Sequence, residues 1–117
     1  MTRFGEVASV ARRRLRQNDR RFSLRQVARR VGIEPSYLSK IERNQVAPPS
    51  EATTVRLAKE LGEDPDVMLA MAGKVSGDLQ EIIRKRPVLF AELIRQLKEM
   101  PDHAILRIVR EVRDGDW

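Results

Sequence analysis

Few side chains in this 117-residue chain are of types that make or break bonds, and none is arranged to do so. There is no cysteine, which removes disulfides, thiolate metal sites and redox switching. The one histidine, His103, cannot by itself assemble a histidine-based metal site. The carboxylates Glu60, Glu63, Asp64 and Asp66 crowd together in sequence. They fall at a helix end and a helix start, where capping accounts for them without an ion. Glycine-rich phosphate loops, nucleophilic serine motifs and acid/base pairs in apolar settings are all missing. Catalysis has no support, and no cofactor is expected. The chemistry left is recognition by charge and hydrogen bonds. Arg12, Arg13, Arg14, Arg16, Arg20 and Arg21 form the densest cluster, suited either to a phosphate backbone or to a solvated helix face.

Net charge is +6, and its distribution says more than its size. Residues 1–43 hold 12 Lys/Arg against 4 Asp/Glu, residues 44–75 hold 3 against 5, and residues 76–117 hold 8 against 8. All of the positive excess therefore sits in the first third. A basic surface on one module is the electrostatic footprint of a polyanion partner, the plain alternative being a solvated basic face.

The elements that must position these charges are short helices, and no alternating strand pattern is present. The first covers about residues 4–17, with Val7, Val10, Ala11 and Leu15 near one stripe. Asn18-Asp19-Arg20-Arg21 ends it. Ser23 is placed to cap a second helix near 24–30, and Gly32 supplies the left-handed residue that stops it. A third starts near Pro35 and runs to about Arg43, with Leu38 and Ile41 inward. Ser50 caps a fourth helix carrying Val55, Leu57, Ala58 and Leu61 and ended by Gly62. Asp64-Pro65 opens a fifth with Val67, Met68, Leu69 and Met71. Residues 73–77 read as a hinge. Three further amphipathic patterns follow: Leu79/Ile82/Ile83, Phe90/Leu93/Ile94/Leu97 and Ile105/Ile108/Val109/Val112. Pro87 and Pro101 stand where first helical turns should begin.

Residues 23–42 read SLRQVARRVGIEPSYLSKIE. Two short helices are joined through Val31-Gly32-Ile33, with glycine where the turn must be tight. Ala28 is small where the helices must approach. Val27, Val31, Ile33, Leu38 and Ile41 hold the unit on its core. Ser36, Tyr37, Ser39 and Lys40 are left to project outward, the arrangement a recognition helix requires.

This stretch resembles the helix-turn-helix of the Cro/CI (Xre) family of prokaryotic repressors. SYLSKIERN, then PPSEATTVRLAKELG and DPDVMLAMAG, are similar to that family's third, fourth and fifth helices. The resemblance covers about residues 5–73. It implies an all-α fold: a five-helix lambda-repressor-like DNA-binding domain over 1–73, followed by a three-helix C-terminal tail over 74–117. One departure is visible, since the link 17–22 is about one residue longer and more basic than usual.

Residue by residue, the resemblance implies that Ser23, Arg25 and Gln26 touch the sugar-phosphate backbone. It places Ser36 and Lys40 in the major groove, and Tyr37 against phosphate or a thymine methyl. Arg43 and Asn44 follow the recognition helix and meet phosphate. Pro35 occupies a groove-facing position where relatives carry Gln or Ser. Proline cannot donate there, so base reading shifts onto Ser36, Ser39 and Lys40. Lys40 is the candidate reader of a guanine, with a phosphate clamp or a solvated lysine as alternatives. For Ser36 the alternative is helix capping, and for Tyr37 packing of its ring over the first helix. Glu34, at the helix start, is suited to capping or to cytosine N4. The resemblance also implies an ion pair between Arg16 and Glu42, since Glu42 follows Ile41 on the inward side and a buried carboxylate demands a partner.

These readings make double-stranded DNA the partner and a transcriptional regulator the function: a dimeric repressor on an inverted-repeat operator. The stripes of residues 76–117 need a covering surface, because a short amphipathic helix is unstable alone. A homodimer through this tail is expected, the alternatives being packing onto the first domain or a protein partner. An antitoxin or adaptor whose tail binds another protein is the rival function. No apolar run approaches the roughly 20 residues needed to span a bilayer, and the N-terminus lacks a secretory signal, so a cytoplasmic protein is expected.

Overall fold

A computed structural model describes residues 3–115, and among these residues all regular structure is helical. The order is α1 (Phe4–Arg16), a 3₁₀ turn (Arg20–Phe22), α2 (Leu24–Val31), α3 (Pro35–Glu42), α4 (Glu51–Leu61) and α5 (Pro65–Met71). Then come α6 (Gly77–Lys85), α7 (Pro87–Leu97) and α8 (Asp102–Asp114). The chain divides into two units after Gly77.

The first unit is built by capped helices closing on one core. Ser23 Oγ accepts from the Gln26 N–H at the start of α2, Ser50 Oγ from Thr53 on α4, and an Asp64 oxygen from Asp66 on α5. Gly32 ends α2 at φ 85°, a conformation that β-carbon sterics deny most residues. The core joins Phe4, Ala8 and Ala11 of α1, Val27, Ala28 and Val31 of α2, and Leu38 and Ile41 of α3. Leu57, Ala58 and Leu61 of α4 and Met68 of α5 complete it. Ala28 is fully buried, as a close helix crossing demands.

The inward face of α1 differs from the expected stripe. Val10 is exposed and Val7 half-buried, while Phe4, Ala8, Ala11 and Arg12 point inward. Small residues win that face because α1 lies close on α3. A β-carbon on Gly5 would stand 2.2 Å from the Ile41 carbonyl oxygen, so only glycine fits. The 3₁₀ turn was not legible in the pattern, and it is stabilised locally by Asp19, which accepts from the Arg21 backbone N–H at 2.9 Å. The Arg21 side chain also binds this carboxylate, and that hydrogen bond, followed by the backbone one, holds Asp19 below the usual carboxylate range.

Residues 74–77 belong to the first unit. Lys74 Nζ donates to the Pro49 carbonyl at 3.4 Å, and the Gly77 N–H donates to the Glu51 carboxylate at 2.9 Å. The second unit holds nearly all of α6 together with α7 and α8. Pro87 occupies the first turn of α7 as expected, whereas Pro101 sits one residue before α8, at its cap. No described residue of this unit is buried.

Candidate nucleic-acid interface

The geometry of α2 and α3 is fixed from behind. Val27, Ala28, Val31, Leu38 and Ile41 are buried, which locks both helices onto the core. Arg56 on α4 donates from Nε to the Val31 carbonyl at 3.0 Å, satisfying an acceptor that the end of α2 leaves open. Arg30 pairs with Glu60 at 2.7 Å and stacks over the Phe22 ring, 5.2 Å from its centroid. The turn between α2 and α3 is thus braced by packing, a carbonyl clamp and an ion pair.

Behind the exit of α3 lies a buried ion pair, and it uses a different arginine from the one expected. Arg12 binds Glu42 through both Nε (2.6 Å) and Nη2 (2.9 Å), with side chains only 7% and 6% exposed. Its Nη1 donates to the Phe22 carbonyl at 3.2 Å. The expected Arg16–Glu42 pair is therefore corrected by one helical turn. Arg16 closes α1 in an exposed position, whereas Arg12 lies on the face that meets α3. The longer link delivers the Phe22 carbonyl to the third guanidinium donor. Two opposite charges with matched fork geometry satisfy each other where neither could stand alone.

On the outer side, Arg25 and Gln26 of α2 and Ser36 and Lys40 of α3 are exposed, as is Arg43 just beyond α3. Ser23, Tyr37, Ser39 and Asn44 are half-buried. Ser23 has its hydroxyl engaged as the cap of α2. Tyr37 packs against the core cluster, which was the alternative reading of its ring. The Ser39 carbonyl accepts from Arg43 Nε at 3.3 Å, drawing that guanidinium back along α3. Asn44 holds a left-handed backbone (φ 56°), and its side-chain oxygen accepts from the Gly5 N–H at 3.1 Å. It ties α1 to the exit of α3, and only its amide nitrogen side is left for another group.

Glu34 makes no side-chain cap to α3. With Pro35, Ile33, Arg25, Gln26 and Arg29 it lines an open groove of about 690 Å³ between the starts of the two helices. Arg29 was not among the residues read from the sequence. Its signal was there, because it follows Arg25 by four residues and so shares its helix face.

The sequence model of the helix-turn-helix domain matches residues 11–71, more than half of the chain and all of α2 to α5. The chain belongs to this helix-turn-helix family. Comparison with curated proteins and with solved structures gave no match. The helix-turn-helix assignment fits the Cro/CI resemblance, and it supports DNA binding by this domain. Among the described residues, no helix is long and apolar enough to cross a membrane.

Proposed function

We propose that the protein is a cytoplasmic, sequence-specific regulator of transcription, a repressor that acts as a pair of copies on an inverted-repeat operator. It works by binding alone and not by catalysis. The observation that carries this reading is the exposed set Ser36 and Lys40 on α3 beside Arg25, Gln26 and Arg29 on α2, all mounted on a rigid back. Lysine and serine offer donors to base edges, and the arginines offer donors to phosphates on either side. The excess of positive charge in residues 1–43 supplies long-range attraction to the duplex.

Pairing follows from arithmetic. One recognition helix of eight residues reads only a few base pairs, so a second half-site multiplies specificity. Two linked binding events also raise affinity through effective concentration. The test is selection of binding sites from a random duplex pool. The expected product is an inverted repeat with half-sites spaced about 10 bp, or a multiple of it. Enrichment of no sequence over the pool would refute sequence reading, and enrichment of solitary half-sites would refute pairing. Transcription from a promoter carrying the selected site should fall when the protein is supplied, and a rise would overturn the repressor assignment.

A further inference from the structure

The arginines that crowd residues 12–21 do not share one fate. Arg12 is spent inside the fold on Glu42 and the Phe22 carbonyl. Arg21 is held by both carboxylate oxygens of Asp19, at 2.8–3.1 Å. Arg14 shares an open groove with Val10 and Glu63, beside the link from α4 to α5. Three remain. Arg13, Arg16 and Arg20 are exposed, and among the described residues their guanidinium groups bind no partner. The seam between α1 and the helix-turn-helix fixes their place. Gly5, Ser9, Arg12 and Arg16 follow one another at steps of three and four residues, and so share a face of α1. On that face Gly5 meets Asn44, and Arg12 meets Glu42 and Phe22. The face therefore borders both the exit of α3 and the start of α2. Arg16 continues it by one turn, with Arg13 three residues before it on the solvent side. The Arg16 carbonyl then accepts from the Asp19 N–H at 3.3 Å, and the Arg20 carbonyl from the Ser23 N–H at 3.2 Å. The link thus carries the row to the cap of α2.

We propose that Arg13, Arg16 and Arg20 form a second phosphate-binding edge, outside α2 and α3, which grips one strand of duplex DNA beside the groove that α3 reads. This edge rests on DNA binding by the helix-turn-helix domain, but not on the repressor reading, on an operator or on pairing of copies. In this motif the helix before the recognition helix crosses the backbone, so groups at the start of α2 stand over phosphates. Guanidinium groups bind phosphate through paired N–H donors, and these three have theirs free. Charge points the same way. Arg13 and Arg16 are like charges three residues apart on one helix, which repel each other. Asp19, the acid next to them in sequence, is already spent on Arg21. A polyanion on this edge removes the repulsion. Arg14, in the groove with Glu63, takes no part.

The probe is a mixed-sequence duplex of about 30 bp, titrated with the full chain at salt from about 50 to about 200 mM. Each phosphate contact contributes about 0.9 to the slope of log K against log salt. Arg16→Gln should lower that slope by about 0.9. Arg13→Gln, Arg16→Gln and Arg20→Gln together should lower it by about 2–3, with affinity reduced at least about tenfold at the low-salt end. Arg14→Gln removes the same charge as Arg16→Gln and should leave the slope unchanged. Lysine at all three positions should keep the slope near wild type, which separates contact with phosphate from a change in folding. Equal slopes for Arg14→Gln and Arg16→Gln overturn the proposal, because the cluster then acts only by its summed charge. A triple glutamine variant with the wild-type slope overturns the edge alone and leaves DNA binding standing. A wild-type chain that binds no duplex at any salt overturns the DNA-binding reading, and the edge with it. Vesicles of about one anionic to three neutral phospholipids are then added as a competing phosphate surface. They should leave the wild type on the duplex at equal phosphate concentration. If they strip it off while the triple glutamine variant stays bound, the edge serves a membrane and the proposal falls.

Discussion

Two stretches of this chain carry helices of equal regularity and opposite fates. From Phe4 to Leu69, each α-helix places at least two side chains in the interior, and even two charged groups, Arg12 and Glu42, are buried there as a matched pair. From Asp78 onward the apolar residues are as regularly spaced, but every described side chain keeps contact with solvent. The ion pairs differ in the same way. Arg12–Glu42 joins two helices and is enclosed, whereas Arg84–Glu81 and Arg95–Glu92 are exposed neighbours on single helices. Periodicity specifies a helix and its two faces. It does not specify what covers the apolar one.

The sharpest way to break this contrast is to remove one charge from each kind of pair. Glu42→Gln or Arg12→Met should cost about 3–5 kcal/mol in the first unit, because the remaining charge stays buried without its partner. Replacing both together, Arg12→Met with Glu42→Leu, should restore much of the loss. Glu81→Gln or Glu92→Gln should change stability by less than about 0.5 kcal/mol, as exposed pairs do. Arg16→Ala belongs with this second group. Urea denaturation followed by circular dichroism checks all six variants. A large loss on Arg16→Ala with a small one on Arg12→Met would return the ion pair to the arginine first expected.

Truncation of apolar side chains gives the next largest difference. Leu57→Ala removes a fully buried side chain at the meeting of α1, α2 and α4, and should cost about 2–5 kcal/mol. Leu93→Ala removes one that is 45% exposed, and should leave the unfolding of the first unit unchanged to within about 0.5 kcal/mol. A fragment ending at Gly77 keeps every side chain that is buried among the described residues, so it should unfold at the same denaturant concentration as the first unit of the full chain. A marked drop on truncation would show that the two stretches are not independent.

Much of the first unit was legible because its signals are local. Gly32, Gly62, Ser23, Ser50 and Pro65 mark helix ends through backbone sterics and single hydrogen bonds, and each stands where its chemistry predicts. The misreadings required knowledge of distance. Val10 and Arg12 are both acceptable on the inward face of α1 by periodicity. Only the approach of α3, which admits Gly5 and Ala8 and offers Glu42, decides between them. At the proposed DNA-binding surface, residue type picked out Ser36 and Lys40, which are exposed, but not that Asn44 spends its side-chain oxygen on the Gly5 N–H. Such double use cannot be seen until the two segments, 39 residues apart, are placed together.

Within the first unit, Lys40→Ala and Arg43→Ala should separate reading from holding. Lys40 lies in the last turn of α3, exposed, so its loss should relax preference at one operator position by about 1–3 kcal/mol. Arg43 lies beyond the helix and leans on the Ser39 carbonyl, so its loss should weaken all sequences alike and lower the salt dependence. Binding across a panel of single-base operator variants decides it. An unchanged profile for Lys40→Ala would make that lysine a phosphate clamp.

Helix caps give the smallest and cleanest contrast. In the first unit α2, α4 and α5 are each closed by a side-chain oxygen, whereas α1 and α3 there, like α7 and α8, have no side-chain cap. Ser23→Ala should therefore cost about 1 kcal/mol, since the Gln26 N–H loses its acceptor, and Ser23→Gly only a few tenths. The pair also tests the second duty given to Ser23 by its place in the motif. If its hydroxyl touches phosphate as well, both variants lose DNA affinity equally although their stabilities differ. If it acts only as a cap, affinity tracks stability and the glycine variant binds nearly as well as wild type. At the uncapped end of α8, Pro101→Ser offers a side-chain acceptor to the first-turn His103 N–H, the Ala104 N–H being held by the residue-101 carbonyl at 3.0 Å, and should add about 0.5–1 kcal/mol to that helix. Helicity measured by circular dichroism should rise in the full chain, with no change in the melting of the first unit. A shift of the first unit by the same substitution would show that the two stretches do not unfold independently.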